Sequence, residues 1–199
     1  PRVLAADLFV SYCLTEPGSG SDAAALKTRA EDTGQGAYRV NGTKAFISGS
    51  GISDLYVTMV RTGADSPRGI SCLVAEKGTA GLSFGAPENK MGWNSQPTAQ
   101  VIFDDVLVPH DNRLGHEGEG FRFAMMGLDG GRINIAACSL GGARACLDAA
   151  RAYVQERRAF GKTLSEFQAL QFKLADMATD LEAARLMVHR AAASLDQRA

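Results

Sequence analysis

The chain is short of most features that would assign it a class at once. Its four cysteines, Cys13, Cys72, Cys138 and Cys146, form no Cys-x-x-Cys pair and sit in apolar company. That argues against a disulfide framework or a thiolate metal site, and for buried free thiols in a reducing compartment. His110, His116 and His189 are scattered without ligand spacing, read as surface or helix-end residues, and with them no metal is expected. An excess of one charge is missing too. Lys and Arg number 21 against 22 Asp and Glu, a net charge of -1, which leaves no electrostatic case for nucleic acid or an anionic membrane. No stretch approaches the ~18 uninterrupted apolar residues of a membrane span. The start, Pro1-Arg2-Val3-Leu4, carries neither an initiator Met nor a basic-then-apolar signal layout, and reads as part of a longer chain. No Gly-Lys-Ser/Thr follows the glycines as in a P-loop, and they lack the spacing of a dinucleotide-binding unit.

What is present begins with a composition of 45% hydrophobic and 22% charged residues over 199 positions, enough for one large or two modest soluble domains. The most informative stretch is Tyr12-Cys13-Leu14-Thr15-Glu16-Pro17-Gly18-Ser19-Gly20-Ser21-Asp22. Pro17 fixes one backbone dihedral, while Gly18 and Gly20 permit positive φ and close approach. Such a turn can aim successive N–H groups into one concavity, flanked by the hydroxyls of Thr15, Ser19 and Ser21. That suits a phosphate or pyrophosphate, and the apolar run Leu8–Leu14 offers a wall for a flat ligand. An ordinary Gly/Ser/Pro loop satisfies the same composition.

The period changes along the chain. Between about residues 8 and 108, turn signals recur at short intervals. Tyr38-Arg39-Val40, Asn41-Gly42 and Lys44–Ser48 predict a hairpin, which also disposes of the glycosylation sequon at Asn41. Further strands are predicted over 54–61, 69–75 and 99–103. After Val108-Pro109 a glycine-rich loop opens a helix over 121–157. Ser165 with Gln168 has capping-box spacing and predicts a second helix. Its apolar stripe runs from Leu170 through Leu174, Met177 and Leu181 to Leu195. The fold class expected is α+β. An antiparallel β sandwich or barrel occupies 1–110, and long antiparallel helices of an incomplete bundle occupy 111–199. Two helices cover their own apolar faces poorly, so further helices are expected from the rest of the chain or a neighbouring subunit.

The turn is followed, in order, by Gly42-Thr43-Lys44-Ala45-Phe46-Ile47-Ser48-Gly49, Met91-Gly92-Trp93-Asn94-Ser95-Gln96-Pro97-Thr98, and Phe103-Asp104-Asp105-Val106-Leu107-Val108-Pro109. Then come Gly118-Glu119-Gly120-Phe121, Leu128-Asp129-Gly130-Gly131-Arg132-Ile133 and Arg157-Arg158-Ala159-Phe160-Gly161-Lys162. This ordered set resembles the acyl-CoA dehydrogenases, flavoenzymes that introduce an α,β double bond into acyl-CoA thioesters. The Trp93 stretch, with Gly130–Ala136, is most similar to the branch that handles isobutyryl-CoA in valine breakdown. The resemblance implies a middle β domain and the first helices of a C-terminal bundle. It also implies a homotetramer, electron-transfer flavoprotein as the electron acceptor, and a mitochondrial matrix or bacterial cytoplasmic location.

By the same resemblance FAD is the cofactor. Tyr12, Leu14 and Thr15 line its ring, Gly20 and Ser21 meet its pyrophosphate, and Ser21 also lies near the thioester. Phe46, Ile47 and Ser48 contact the ring from the next strand, Phe46 standing where most relatives carry Trp. Arg157, Arg158 and Ala159, the last often Thr in relatives, with Phe167 and Gln168, reach the FAD of a partner subunit. Asp129 and Arg132 bind the CoA portion, the alternative for their spacing being an intrahelical i,i+3 ion pair on a solvated face. Trp93 lines a shared surface or anchors its own loop. The base that removes the α proton is expected beyond residue 199. Gly131 occupies the position some branches use for it, and Glu16, Glu117 and Glu119 sit in turns and loops. An acyl-CoA oxidase and an inert flavin-binding or interaction fragment are the competing readings.

Overall fold

A computed structural model describes residues 1–197. In it, alternating apolar residues build most of an eight-stranded sheet. Strands β1 (Val10–Cys13), β2 (Arg29–Asp32), β3 (Ala37–Ser48), β4 (Leu55–Arg61), β5 (Ile70–Glu76), β6 (Leu82–Phe84), β7 (Thr98–Pro109) and β8 (Arg113–Leu114) take the order β6-β7-β3-β2-β4-β5-β8, with β1 against β4. Tyr38, Val40 and Ile47 of β3 meet Val101, Phe103, Val106 and Val108 of β7 in one buried cluster with Cys13, Tyr56 and Leu73. Period-two alternation puts every second side chain on that face.

The α+β class holds, and the sheet within it is mixed rather than wholly antiparallel. β1 runs parallel to β4 at Leu55–Thr58, and β2 runs parallel to it at Arg61. Two half-strands thus lie along one neighbour, end to end, and the chain between them, residues 14–28, leaves the sheet and returns. The hairpin predicted at Asn41-Gly42 does not form, because β3 continues straight through it. The physical reason is a bulge. Val40 pairs with Val106 but Gly42 with Phe103, so β7 carries one extra residue. Asn41 Nδ2 donates to Asp105 Oδ1 at 3.0 Å, and Asn41 Oδ1 accepts from Asp105 N at 2.9 Å. Gly42 lies against Thr28, where a Cβ would sit 2.5 Å from Oγ1. The second bulge is on β3, between Lys44 and Ile47 opposite Val101 and Ala99. Phe46 and Asp105, at these two sites, both have positive φ, 57° and 53°.

The chain divides into two compact units, 1–125 and from 126 onward. Helix α1 (Gly120–Glu156) starts in the first unit and runs through the second. Its first residue must be small, since a Cβ on Gly120 would lie 2.4 Å from the Ser71 carbonyl carbon. In the second unit α1 is followed by a two-residue hairpin, β9 (Arg158–Ala159) and β10 (Lys162–Thr163), then α2 (Gln168–Asp196). The hairpin turn, Phe160-Gly161, has positive φ at both residues, as a two-residue turn demands. The capping box is Thr163 with Glu166, not Ser165 with Gln168. The Ser165 hydroxyl is bonded to Thr163 Oγ1 at 2.8 Å instead, and the Glu166 carboxylate returns to Thr163 N, also at 2.8 Å.

Between α1 and α2 lies an apolar groove of about 720 Å³, lined chiefly by Ala136, Leu140, Leu147, Met177, Leu181 and Val188. No residue of α2 is buried among the described residues. Cys13 and Cys72 are buried free thiols as expected, but Cys138 and Cys146 are exposed on α1. The sequence shows their apolar neighbours but not that those faces lie open.

Candidate functional site

The segment 14–28 is held to the sheet by two buried cations. Lys44 is fully buried on β3, in phase with Tyr38 and Val40. Its Nζ donates to Glu16 Oε1 at 2.8 Å and to the Leu14 carbonyl at 3.2 Å. The Glu16 carboxylate also accepts from Lys27 N at 2.6 Å and from Thr28 N at 2.9 Å. Burial works against the Glu16 charge, but the Lys44 ammonium and these N–H donors outweigh it and hold the carboxyl below its ordinary range. Burial lowers the Lys44 ammonium, with Glu16 opposing. Arg61, on β4, donates to the carbonyls of Ala24 and Leu26 at 2.6 and 3.0 Å. Buried carbonyls that no strand reaches thus find side-chain donors.

With its inner edge anchored, the turn presents its outer edge. Glu16 and Ser19 exchange backbone bonds at 2.9 and 3.1 Å, closing the turn around Pro17 and Gly18. The Ser19 hydroxyl donates to Asp22 O at 2.7 Å and is not offered outward. Gly20 and Ser21 are exposed, and no heavy atom beyond their chain neighbours lies within 4 Å of where a Cβ on Gly18 or Gly20 would stand. The Thr15, Ser21 and Ser48 side chains make no hydrogen bond among the described residues.

The structure brings the end of β1 beside β3. The Thr15 carbonyl accepts from Ala45 N at 2.8 Å, and Ser11 Oγ donates to the Ser48 carbonyl at 2.6 Å. Thr15 is half-buried, while Phe46 is 65% exposed. The bulge turns that ring out of the sheet. Leu14 and Ile47 instead face the core, leaving only their backbones to an outer ligand. Tyr12 is 39% exposed, and its hydroxyl donates to Ala124 O in the first turns of α1 at 3.0 Å. Burial, with the nearby Cys72, pushes its phenol up to about 12. Trp93 is exposed, in a loop whose Pro97 carbonyl accepts from Gly49 N at 2.9 Å. Lys44 and Arg61 are not among the site residues that the sequence singles out. A lysine at an inward-facing strand position was the available signal.

In the second unit, Arg132 Nη1 lies 3.2 Å from Asp129 Oδ1, both side chains exposed. Arg157 follows α1 directly, and its carbonyl accepts from Leu164 N at 2.9 Å. Arg158 Nη2 donates to Gly161 O at 3.1 Å. Ala159 is half-buried in the hairpin and Gln168 opens α2. Phe167 lies beneath Lys162, whose Nζ is 4.2 Å from the ring centre. The five predicted residues of this region therefore surround one hairpin. The Glu117 and Glu119 carboxylates hold internal partners. Glu117 accepts from Tyr38 and faces Arg113 at 3.5 Å, and Glu119 accepts from His116 N at 2.8 Å. No group of three metal-ligating side chains occurs among the described residues, and no helix there is long and apolar enough to cross a membrane.

Two family models match, the acyl-CoA dehydrogenase middle domain over residues 11–106 and the acyl-CoA dehydrogenase C-terminal domain over 118–199. The mitochondrial isobutyryl-CoA dehydrogenases of Dictyostelium discoideum and Bos taurus are each 58% identical over 197 residues, covering 98% and 99% of this chain. The chain spans about half of their length, 47% in both cases. Among solved structures, butyryl-CoA dehydrogenase from Megasphaera elsdenii superposes with a TM-score of 0.90 at 42% identity, over 95% of this chain and 50% of that one. A chain of the electron transferring flavoprotein structure from Acidaminococcus fermentans gives 0.91 at 44% identity, over 98% and 52%. PigA with FAD and proline gives 0.94 at 30% identity, over 98% and 51%.

Proposed function

The chain belongs to the acyl-CoA dehydrogenase family, and from that premise we propose that it forms the flavin-binding and part of the CoA-binding portion of a short branched-chain acyl-CoA dehydrogenase. The substrate is isobutyryl-CoA or a close analogue, the product its 2-enoyl thioester, and the electron acceptor an electron-transfer flavoprotein. The observation that carries this reading is local. A free Thr15 hydroxyl, an outward Phe46 ring and an open Gly18–Ser21 edge meet at one end of the sheet, in a chain 58% identical to two isobutyryl-CoA dehydrogenases. The solved relative that carries FAD supports the cofactor, and the flavoprotein structure supports the acceptor.

The residues present suit FAD. The pyrophosphate fits the open glycine edge, where backbone N–H groups and the Ser21 hydroxyl are unobstructed. Phe46 and Tyr12, with the backbones of Leu14, Ile47 and Ser48, would hold the ring. When bound, FAD supplies the two-electron acceptor for the hydride leaving the substrate's Cβ. Thr15 would offer its hydroxyl as a hydrogen-bond donor to the reduced ring. Ser21 lies toward the thioester, and Arg132, oriented by Asp129, takes a CoA phosphate. Arg157, Arg158, Ala159, Phe167 and Gln168 serve the cofactor of a neighbouring subunit in a homotetramer. The α proton is assigned to a carboxylate outside these residues. Glu16 is locked to Lys44, while Glu117 and Glu119 already hold internal partners.

Enoyl-CoA formation from isobutyryl-CoA by the full-length protein, with electron-transfer flavoprotein present, tests the activity. Oxygen uptake in its absence identifies an oxidase instead. Arg132→Ala separates the two readings of that residue. An exposed ion pair contributes under ~1 kcal/mol to stability, whereas a lost phosphate contact raises KM by roughly tenfold. An unchanged KM refutes the CoA role.

A further inference from the structure

Residues 14–28 lie between two half-strands that share one neighbour, so Thr15 stands where regular pairing stops. Three bonds nevertheless bracket it. Its own carbonyl accepts from Ala45 N at 2.8 Å, the preceding carbonyl accepts from Lys44 Nζ at 3.2 Å, and the following side chain, Glu16, takes Lys44 Nζ at 2.8 Å. Lys44 in turn lies two residues before Phe46 on the same strand. One buried ammonium, 0% exposed, therefore couples the segment bearing the Thr15 hydroxyl to the bulge bearing the Phe46 ring. Glu16 extends the tie across the loop to the Lys27 and Thr28 amides.

We propose that the Lys44–Glu16 ion pair is a positioning device for the flavin, fixing the Thr15 hydroxyl relative to the Phe46 ring without touching the cofactor. The proposal rests on the flavin reading above. Burying two charges in contact is seldom the most stable solution, since apolar replacements of similar volume are often neutral or better. A pair used only to hold the fold could be exchanged for a neutral one without further effect. A pair used to set a donor against a ring could not, because a neutral pair no longer bonds the Leu14 carbonyl.

The test is the double variant Glu16→Gln/Lys44→Met in the full-length protein, which removes both charges together and leaves neither stranded. Expected is a cooperatively folded protein whose FAD dissociation constant rises about tenfold. The reduced cofactor should be weakened a further tenfold, which lowers the two-electron midpoint potential by about 30 mV. Glu16→Asp keeps both charges, shortens the tie to Lys44 by one methylene, and serves if the double variant does not fold. Its FAD affinity is expected to fall about threefold. Variants that fold and match the parent in FAD affinity and potential overturn the positioning role. A parent protein that binds no FAD overturns the flavin reading itself, so the two failures are distinct.

Discussion

Gly120→Ala and Gly141→Ala make the same substitution in the same helix, and the structure demands opposite outcomes. A methyl group on Gly120 lies 2.4 Å from the Ser71 carbonyl carbon, 2.5 Å from its oxygen and 2.8 Å from its Cα. Carbon contacts are comfortable from ~3.5 Å, so the start of α1 and β5 must part by at least about 1 Å. Both partners are backbone, and no side chain can swing aside. Overpacking of this kind costs about 1–3 kcal/mol. The Ser71 hydroxyl, which accepts from Gly118 N at 3.1 Å and is bonded to Thr62 Oγ1 at 2.6 Å, is strained in the same movement. Losing one such bond adds roughly 1 kcal/mol. Against this stands at most about 1 kcal/mol of helix propensity, smaller at a first helical position. The net expectation is a loss of about 2 kcal/mol. At Gly141 nothing lies within 4 Å of the new methyl, and only the propensity gain of about 1 kcal/mol remains. At roughly 2–4 °C per kcal/mol for a chain of this size, Gly120→Ala melts about 4–8 °C lower and Gly141→Ala about 2–4 °C higher. Thermal unfolding followed by circular dichroism reads both. A Gly120→Ala protein as stable as its parent refutes the close approach of α1 to β5.

Other outcomes follow from the same geometry. The Glu16 carboxyl is held below its ordinary value, so the native state binds that proton less readily than the unfolded chain. Its contribution is complete above the unfolded value of about 4.3 and is lost as pH falls through the native one. Urea midpoints between pH 7 and 3 should fall less steeply for Glu16→Gln. Tyr12→Phe removes the bond to Ala124 O and is expected to lower stability by about 1 kcal/mol in chemical denaturation. In Phe46→Gly the left-handed backbone is relieved by about 1–2 kcal/mol, offset by about 0.5–1 kcal/mol of glycine entropy. Apo stability should stay level or rise while FAD affinity drops at least tenfold, measured by equilibrium dialysis. Unchanged affinity removes Phe46 from the ring site.

Much of this arrangement was readable from local pattern. Strands β4 and β5 announce themselves because their apolar residues lie consecutively and their pairing is next in sequence. β2 does not. Of Arg-Ala-Glu-Asp only Ala30 is buried, and its place comes from β3, about nine residues away. Asn41-Gly42 misleads for a related reason, since the backbone tolerance that favours a tight turn also admits a bulge and a close approach to Thr28. The turn at Glu16–Ser21 was legible from its residue types, but the partner of Glu16 was not. Lys44 lies 28 positions away, and only its parity with Tyr38 and Val40 hints that it faces inward. On α1, the exposure of Cys138 and Cys146 depends on what covers the helix, which no local pattern carries.

The two bulges have a hereditary consequence. Outside them, β3 and β7 pair in one register, in which Tyr38 meets Val108 and Ser48 meets Thr98. Removing Phe46 alone lets Ala45 stand opposite Gln100 and returns Ile47 to Ala99, so no pairing on either side moves. A one-codon deletion there is silent to the ladder, while the same deletion at Val40 turns the rest of the strand over. Asp105 is supernumerary on β7 in the same sense. The pairing of β3 with β7 therefore does not need Phe46, and what that residue adds lies in what its ring touches.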